Sequence, residues 1–373
     1  MLTTMIANLD QITPDWLTAA LGETFAGRTI TSIEQAVNPA FNSRIAHLTV
    51  RFAGDLPDLL STRLLVKLNG EDDGRTEVGF YQAMIALPSA KRARLPMIVT
   101  CYGAEYDPTS QHSYLTLADL SDSYEAPISR DQLLAGHGVP TADRLDHIVD
   151  VLAAFQAFWW ESPQLGRGMA EVRWWYRDET HYQAHVARRQ AEWRQFSAAI
   201  DWFPADLRTL YEQTLVQLPG LWTGYFKDRV LTRRQMTLSN GDCYLSQFLC
   251  PRSGADAPTY LVDFQDVSAN FSTYDLVYMF ATFWTPEQRH DQDRERQLLE
   301  RYYQQLQQHG VQNYAWAELW TDYRVMLALM IFDPIWNQID GSRQTYWWPK
   351  LQCLIGAFQD LGCAQLLDEL NTH

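Results

Sequence analysis

Apolar residues in the first third of the chain fall into short alternating runs. Ala46, Leu48, Val50 and Phe52 share one face of residues 43–52, the spacing of a half-buried strand. Residues 31–37 are also strand-like, and Asn38-Pro39-Ala40-Phe41-Asn42 lies between the two runs. A turn cluster in that place predicts a hairpin. Residues 63–68 (RLLVKL) read as a third, more buried strand. A loop with Asp72, Asp73 and Gly74 leads into residues 76–87, where Tyr81, Met84 and Ile85 recur at helical spacing. Residues 97–102 and 113–117 complete five strands around one inserted helix. Upstream, Thr13-Pro14-Asp15-Trp16 is a helix start, with a hydroxyl cap and proline at the first helical position.

After Asp119 the period changes. Leu145, Ile148, Leu152, Phe155 and Trp159 form one stripe over residues 142–161, the mark of an amphipathic helix. Helical patterning then runs to the C-terminus, broken only around residues 237–265. Strands first and helices after predict an α+β fold in two segregated lobes. The expected division is residues 1–120 and 121–373, with the boundary near residues 117–123.

Charge narrows the partners. Against 45 acidic residues stand 30 basic ones, a net charge of −15, which argues against nucleic acid or an anionic membrane as the main partner. A local basic pocket remains compatible with it. Only four of the cations are lysines, at positions 67, 91, 227 and 350, so each retained lysine draws notice. Five cysteines without regular spacing make no disulfide framework. The N-terminal stretch lacks a basic, apolar leader pattern, and no uncharged apolar run approaches 18 residues. A reducing cytoplasm is the expected compartment.

Three constellations could carry chemistry. Lys67 stands inside an apolar strand, where an unpaired ammonium is costly. Glu77, on the buried stripe of the next helix with Tyr81 and Met84, is the expected partner. A strand lysine paired with a helix glutamate positions nucleotide phosphates in protein kinases. The second constellation is Asn240-Gly241-Asp242, with Gln247 five residues after the aspartate. The kinase catalytic loop sets its base and its metal-binding amide at that spacing. The third is Leu261-Val262-Asp263-Phe264, 21 residues beyond Asp242. A carboxylate at a buried strand end suits a divalent cation such as Mg²⁺. Asp275, at the start of an apolar helix, is expected to bond loop backbone instead.

The order and spacing of these parts resemble the aminoglycoside-phosphotransferase and choline-kinase-like superfamily, especially its ecdysteroid-kinase-like branch. Its signature reads H-G-D-x4-N, followed about twenty residues on by I-D-[FW]. Here it stands as Asn240-Gly241-Asp242 with Gln247, then Val262-Asp263-Phe264. The resemblance runs from about residue 30 to residue 285. It implies a two-lobed protein-kinase-like fold, with a five-stranded antiparallel N-lobe carrying one helix and a mainly helical C-lobe. It implies an ATP- and Mg²⁺-dependent O-phosphotransferase acting on a small hydroxylated molecule. By the same resemblance Asp242 is the catalytic base, Asp263 the main Mg²⁺ ligand and Gln247 the second metal position. Lys67 holds the nucleotide phosphates and Glu77 orients it. Asn42 and Ser43 belong to a flap over the phosphates that lacks the usual glycines. Thr116, Leu117 and Ala118 belong to the hinge that meets adenine. His gives way to Asn240 and Asn to Gln247, and the longer amide keeps the hard oxygen that Mg²⁺ takes.

The helical half is rich in aromatics, among them Trp159, Trp174, Trp175, Trp336, Trp347 and Trp348, with Asp178, Glu179 and Asp333 nearby. Such a wall with acids could hold an amine-bearing or ring-shaped alcohol, or be ordinary core between helices. Two other readings stay open. One is a kinase-fold protein that binds nucleotide or ligand without transferring phosphate. The other is an acidic, tryptophan-rich glycosidase, which leaves Lys67 and Glu77 unexplained.

Overall fold

Alternation in the first third does build a sheet. The computed structural model describes residues 5–21, 28–39, 43–53, 62–69, 73–136, 138–253 and 257–372. Within it β1 (Ile30–Pro39), β2 (Arg44–Phe52), β3 (Arg63–Asn69), β4 (Cys101–Asp107) and β5 (His112–Ala118) form one sheet in the order β1-β2-β3-β5-β4. Every neighbouring pair in it is antiparallel. The helix α2 (Asp73–Ala86) follows β3, as its periodicity predicts.

One expected strand is displaced. Residues 97–102 carry buried Met97 and Val99, but Ile98 bridges to Leu261, and the Leu261 amide donates to Met97 at 3.0 Å. These apolar residues cover a segment from far down the chain, and the sheet strand starts only at Cys101. Early in β4, Gly103 meets the helix α1 (Pro14–Ala20) so closely that a Cβ would lie 2.0 Å from the Ala20 carbonyl oxygen. No other residue fits there. Thr13 caps α1 by accepting from the Trp16 amide at 3.1 Å.

Side chains of β3 alternate between two environments. Leu64, Val66 and Leu68 join the core that α1 closes, with Trp16, Leu17, Leu48, Val50 and Tyr114. The alternation turns Lys67 to the opposite face, where it meets α2 through Glu77.

The chain forms two compact units. The first comprises residues 1–125 together with 248–267, the second residues 126–247 and 268–373. The first therefore recruits a later segment: β8 (Phe248–Pro251) pairs with β6 (Tyr124–Glu125) and with β9 (Tyr260–Leu261). The second is built mainly of helices, including Ala142–Trp159, Glu179–Ala199, Arg294–Gln308, Trp316–Met330 and Gln344–Asp360. A short ladder, β7 (Thr237–Ser239) against β10 (Ser268–Asn270), interrupts them. Among the described residues no helix is long and apolar enough to cross a membrane.

Candidate functional site

In the first unit the buried lysine has two carboxylate partners. Lys67, 7% exposed, places Nζ 2.8 Å from Glu77 Oε2 and 2.8 Å from Asp263 Oδ1. Burial alone would push this ammonium down. Glu77 and Asp263 outweigh it, and the lysine pKa stands above its ordinary value. Burial pushes the Glu77 carboxyl up against the pull of Lys67. Asp263 is held in place by its neighbour. Phe264 stacks on Phe80 of α2 at 3.8 Å and meets Tyr81 edge-on at 6.0 Å. The helix that supplies Glu77 thus also anchors the segment that supplies Asp263. Asp263 itself adopts φ +63°, a region that non-glycine residues enter rarely and aspartate more readily than most.

The sequence pointed to Glu77 but not to the Lys67–Asp263 contact, whose members lie 196 positions apart. The signal for it was indirect, a lysine inside an apolar strand and an aspartate at a buried strand end. Because Lys67 keeps Asp263, and the desolvation of Glu77 offsets much of its Coulomb gain, Glu77→Gln is expected to cost under about 2 kcal/mol of stability. Urea unfolding measures this. A loss beyond about 3 kcal/mol would mean that the glutamate charge, and not its shape, holds the pair.

In the second unit Asp242 lies on a loop built by Asp275. That carboxylate accepts from the Asn240 amide at 2.9 Å, the Gly241 amide at 3.0 Å, the Ser239 hydroxyl at 2.6 Å and the Gln156 side chain at 2.9 Å. Gly241 has φ +89°, the left-handed region where a side chain would be strained. The Asn240 side chain accepts from the Asp242 amide at 3.3 Å, so it braces the loop. Gln156 ties the loop inward, accepting from Thr237 at 2.5 Å and from Tyr302. Asp275 therefore bonds loop backbone from a helix start, as expected. Cys243 is wholly buried, and burial pushes its thiol well up, which leaves it unreactive. Asp242 and Gln247 are half-buried, and Gln247 ends a short 3-10 turn, its amide donating to the Tyr244 carbonyl at 2.9 Å.

The remaining positions are less gathered. Ser43 is half-buried just before β2, while Asn42 lies outside the described residues. Thr116, Leu117 and Ala118 end β5, a central strand paired on both sides. The Ala118 amide donates to Thr100 and the Asp119 amide to Arg63. Among the described residues no group of three or more His, Cys, Asp or Glu side chains is placed to hold a metal ion.

Much of the aromatic wall is core. Trp159, Trp175 and Trp347 are buried, whereas Trp174 and Trp336 are exposed. Two of the nearby acids are already engaged. Asp333 takes Arg189 at 3.1 Å. Asp178 caps its helix and contacts His181 at 2.7 Å.

Comparison with known proteins bears on the fold. A family profile described as "Uncharacterized oxidoreductase dhs-27" matches residues 228–335, which include Asp242, Gln247, Asp263 and Asp275. That stretch holds no Gly-x-Gly-x-x-Gly run, the usual dinucleotide fingerprint. No curated protein matches the sequence. Among solved structures, a candidate aminoglycoside phosphotransferase of Ralstonia eutropha JMP134 superposes with a TM-score of 0.55 at 10% identity, covering 96% of this chain and 97% of that one. An ethanolamine kinase of Plasmodium vivax superposes with a TM-score of 0.50 at 10% identity, covering 88% and 84%. The chain has the two-lobed, protein-kinase-like fold that its motifs resembled.

Proposed function

We propose that the protein is an ATP- and Mg²⁺-dependent O-phosphotransferase acting on a small hydroxylated molecule. The observation that carries this reading is the buried triad in which Lys67 is held by both Glu77 and Asp263. A buried ammonium fixed between two acids is positioned for phosphate oxygens, and phosphoryl transfer asks the protein mainly for positioning and charge neutralisation. In this reading residues 1–120 bind nucleotide and residues 121–373 bind the acceptor. The five free thiols suit a reducing cytoplasm, where ATP is at hand.

Asp263 and Gln247 carry the kind of oxygen donor that magnesium takes. Mg²⁺ takes few protein oxygens and completes its shell with water and substrate phosphates, so one carboxylate and one amide oxygen suffice. Asp263, its side chain 33% exposed, would supply the carboxylate and Gln247 the amide oxygen. The bound cation neutralises charge on the phosphates. Lys67 would hold a phosphate oxygen, and Glu77 would keep Lys67 charged and pointed. Ser43, with Asn42, would cover the phosphates. The side chains of Thr116, Leu117 and Ala118 would border the base. Asp242, on its braced loop, would orient the acceptor hydroxyl and take its proton.

Gln247 gives a direct test of the metal role. Gln247→Asn is expected to keep measurable transfer, while Gln247→Leu loses about 10-fold or more because the hard oxygen is gone. Identical Mg²⁺ dependence in the wild type and the Leu variant would show that Gln247 never meets the metal. The second reading, a kinase-fold binding protein without transfer, draws on Asn240 and Gln247 at the two altered signature positions. Incubating the protein with labelled Mg-ATP and an acceptor library separates the two.

A further inference from the structure

Lys350 is one of only four lysines, and the function above gives it no task. It is buried, 3% exposed, on the helix Gln344–Asp360. Among the described residues its Nζ has one hydrogen-bond partner, the Asn337 amide oxygen at a long 3.4 Å, and it lies 5.9 Å from the ring centres of both Tyr278 and Tyr346. Among the described residues it forms no ion pair, unlike the buried Lys67 or Arg229, which lies 2.6 Å from Asp322. An ammonium removed from water without a counter-ion is costly, and two ring faces and one long hydrogen bond offset only part of that cost.

The same tyrosines reach toward Asp242. Tyr278 meets Tyr244 at 5.1 Å, and Tyr244 shares a hydrogen bond with Tyr346. Burial first, and then neighbouring charge including that of Asp242, hold the Tyr244 and Tyr278 hydroxyls well above their ordinary pKa. They stay neutral donors. Each of the three tyrosines keeps part of its surface exposed, although the Tyr244 and Tyr278 hydroxyls point inward, toward the covered lysine. Two acids act on these tyrosines, Asp242 and Asp333; Arg189 already holds Asp333 at 3.1 Å, and Asp242 is the one that faces the alcohol in the reading above. Asp333 is thus matched by Arg189, while Lys350 has no ion pair among the described residues.

We propose that the acceptor is a hydroxylated carboxylic acid whose carboxylate is taken by Lys350 and the tyrosine hydroxyls, while its alcohol faces Asp242. One ammonium with neutral donors balances a single negative charge, which favours a carboxylate over a phosphate dianion. The role of Asp242 here rests on the phosphotransferase reading, but the anion preference does not.

Binding is measured by calorimetry without nucleotide, using 4-(hydroxymethyl)benzoate, 4-(hydroxymethyl)benzylamine and benzyl alcohol. The benzoate is expected to bind at least about tenfold tighter than the other two, as a charge-assisted hydrogen bond would give. Lys350→Met should abolish the preference and Lys350→Arg should retain most of it. A Mg-ATP titration and a urea unfolding curve check that each variant is folded. Equal affinities, a preference for the amine, no binding of any probe, or a preference that survives Lys350→Met would each overturn the inference. A benzoate preference in a protein that fails to bind Mg-ATP would sink the phosphotransferase reading and leave this one standing.

Discussion

Asp275→Ala is expected to lower the unfolding free energy by about 4–6 kcal/mol. Four buried donors converge on this carboxylate: two loop amides, the Ser239 hydroxyl and the Gln156 amide. Removing it strands all four at roughly 1–3 kcal/mol each before relaxation. A counter-effect reduces the total. Burial raises the Asp275 pKa against the pull of those hydrogen bonds, so the charge itself is costly and its loss recovers part of that cost. The stranded donors outweigh it because methyl and cavity can satisfy none of them. Asp275→Asn keeps one acceptor oxygen but turns an NH₂ toward a backbone N–H, so an intermediate loss of about 2–3 kcal/mol follows. Against typical domain stabilities of about 5–15 kcal/mol, this loss would unfold a protein at the low end of that range and leave one at the high end folded but far more sensitive to urea. Urea unfolding of both variants checks this, and an alanine variant with the wild-type midpoint would show that the loop stands without its anchor.

Asp242→Asn should leave the fold intact and remove activity. A positioned general base contributes about 10²–10⁴-fold, so kcat should fall by that factor. Nucleotide affinity should hold within about twofold, because Asp242 is assigned to the acceptor hydroxyl alone. Asp263→Asn should differ. Its carboxylate pairs with Lys67 at 2.8 Å and is assigned to the cation, so metal–nucleotide binding and turnover should fall together. Mg-ATP titrations paired with a transfer assay separate these patterns. An Asp242 variant that also loses nucleotide affinity would mean that the carboxylate serves the metal and not the acceptor.

How much of this was legible depended on whether a residue's environment is local. The sheet was readable because alternation along β2 and β3 is a local consequence of facing a core. The Lys67–Glu77 pair was readable for a related reason, since both occur against the grain of an apolar pattern ten residues apart. Residues 97–102 misled because burial alone does not say which strand they cover, and they cover Leu261. Asp333 and Asp178 looked available for an amine. The Arg189 that neutralises Asp333 lies 144 positions away, and no local pattern could announce it. Lys350 was conspicuous by rarity, but its lack of a counter-ion is a property of three-dimensional neighbours. The sequence pattern marked residues 113–117 as a strand, yet only the pairing of β5 on both sides shows that the backbone of Thr116, Leu117 and Ala118 is engaged in the sheet.

In the function proposed above, this chain transfers the terminal phosphoryl group of ATP to an alcohol. The direct measurement follows radiolabel from γ-labelled ATP into small hydroxylated acceptors, hydroxy acids included, with Mg²⁺ present or chelated. Wild-type protein is predicted to form labelled product only with Mg²⁺, and Asp242→Asn to form about 10²–10⁴-fold less. Tight Mg-ATP binding with no labelled product from any acceptor would leave a nucleotide-binding protein in place of a kinase, and equal product from the wild type and Asp242→Asn would strip Asp242 of its role as the base.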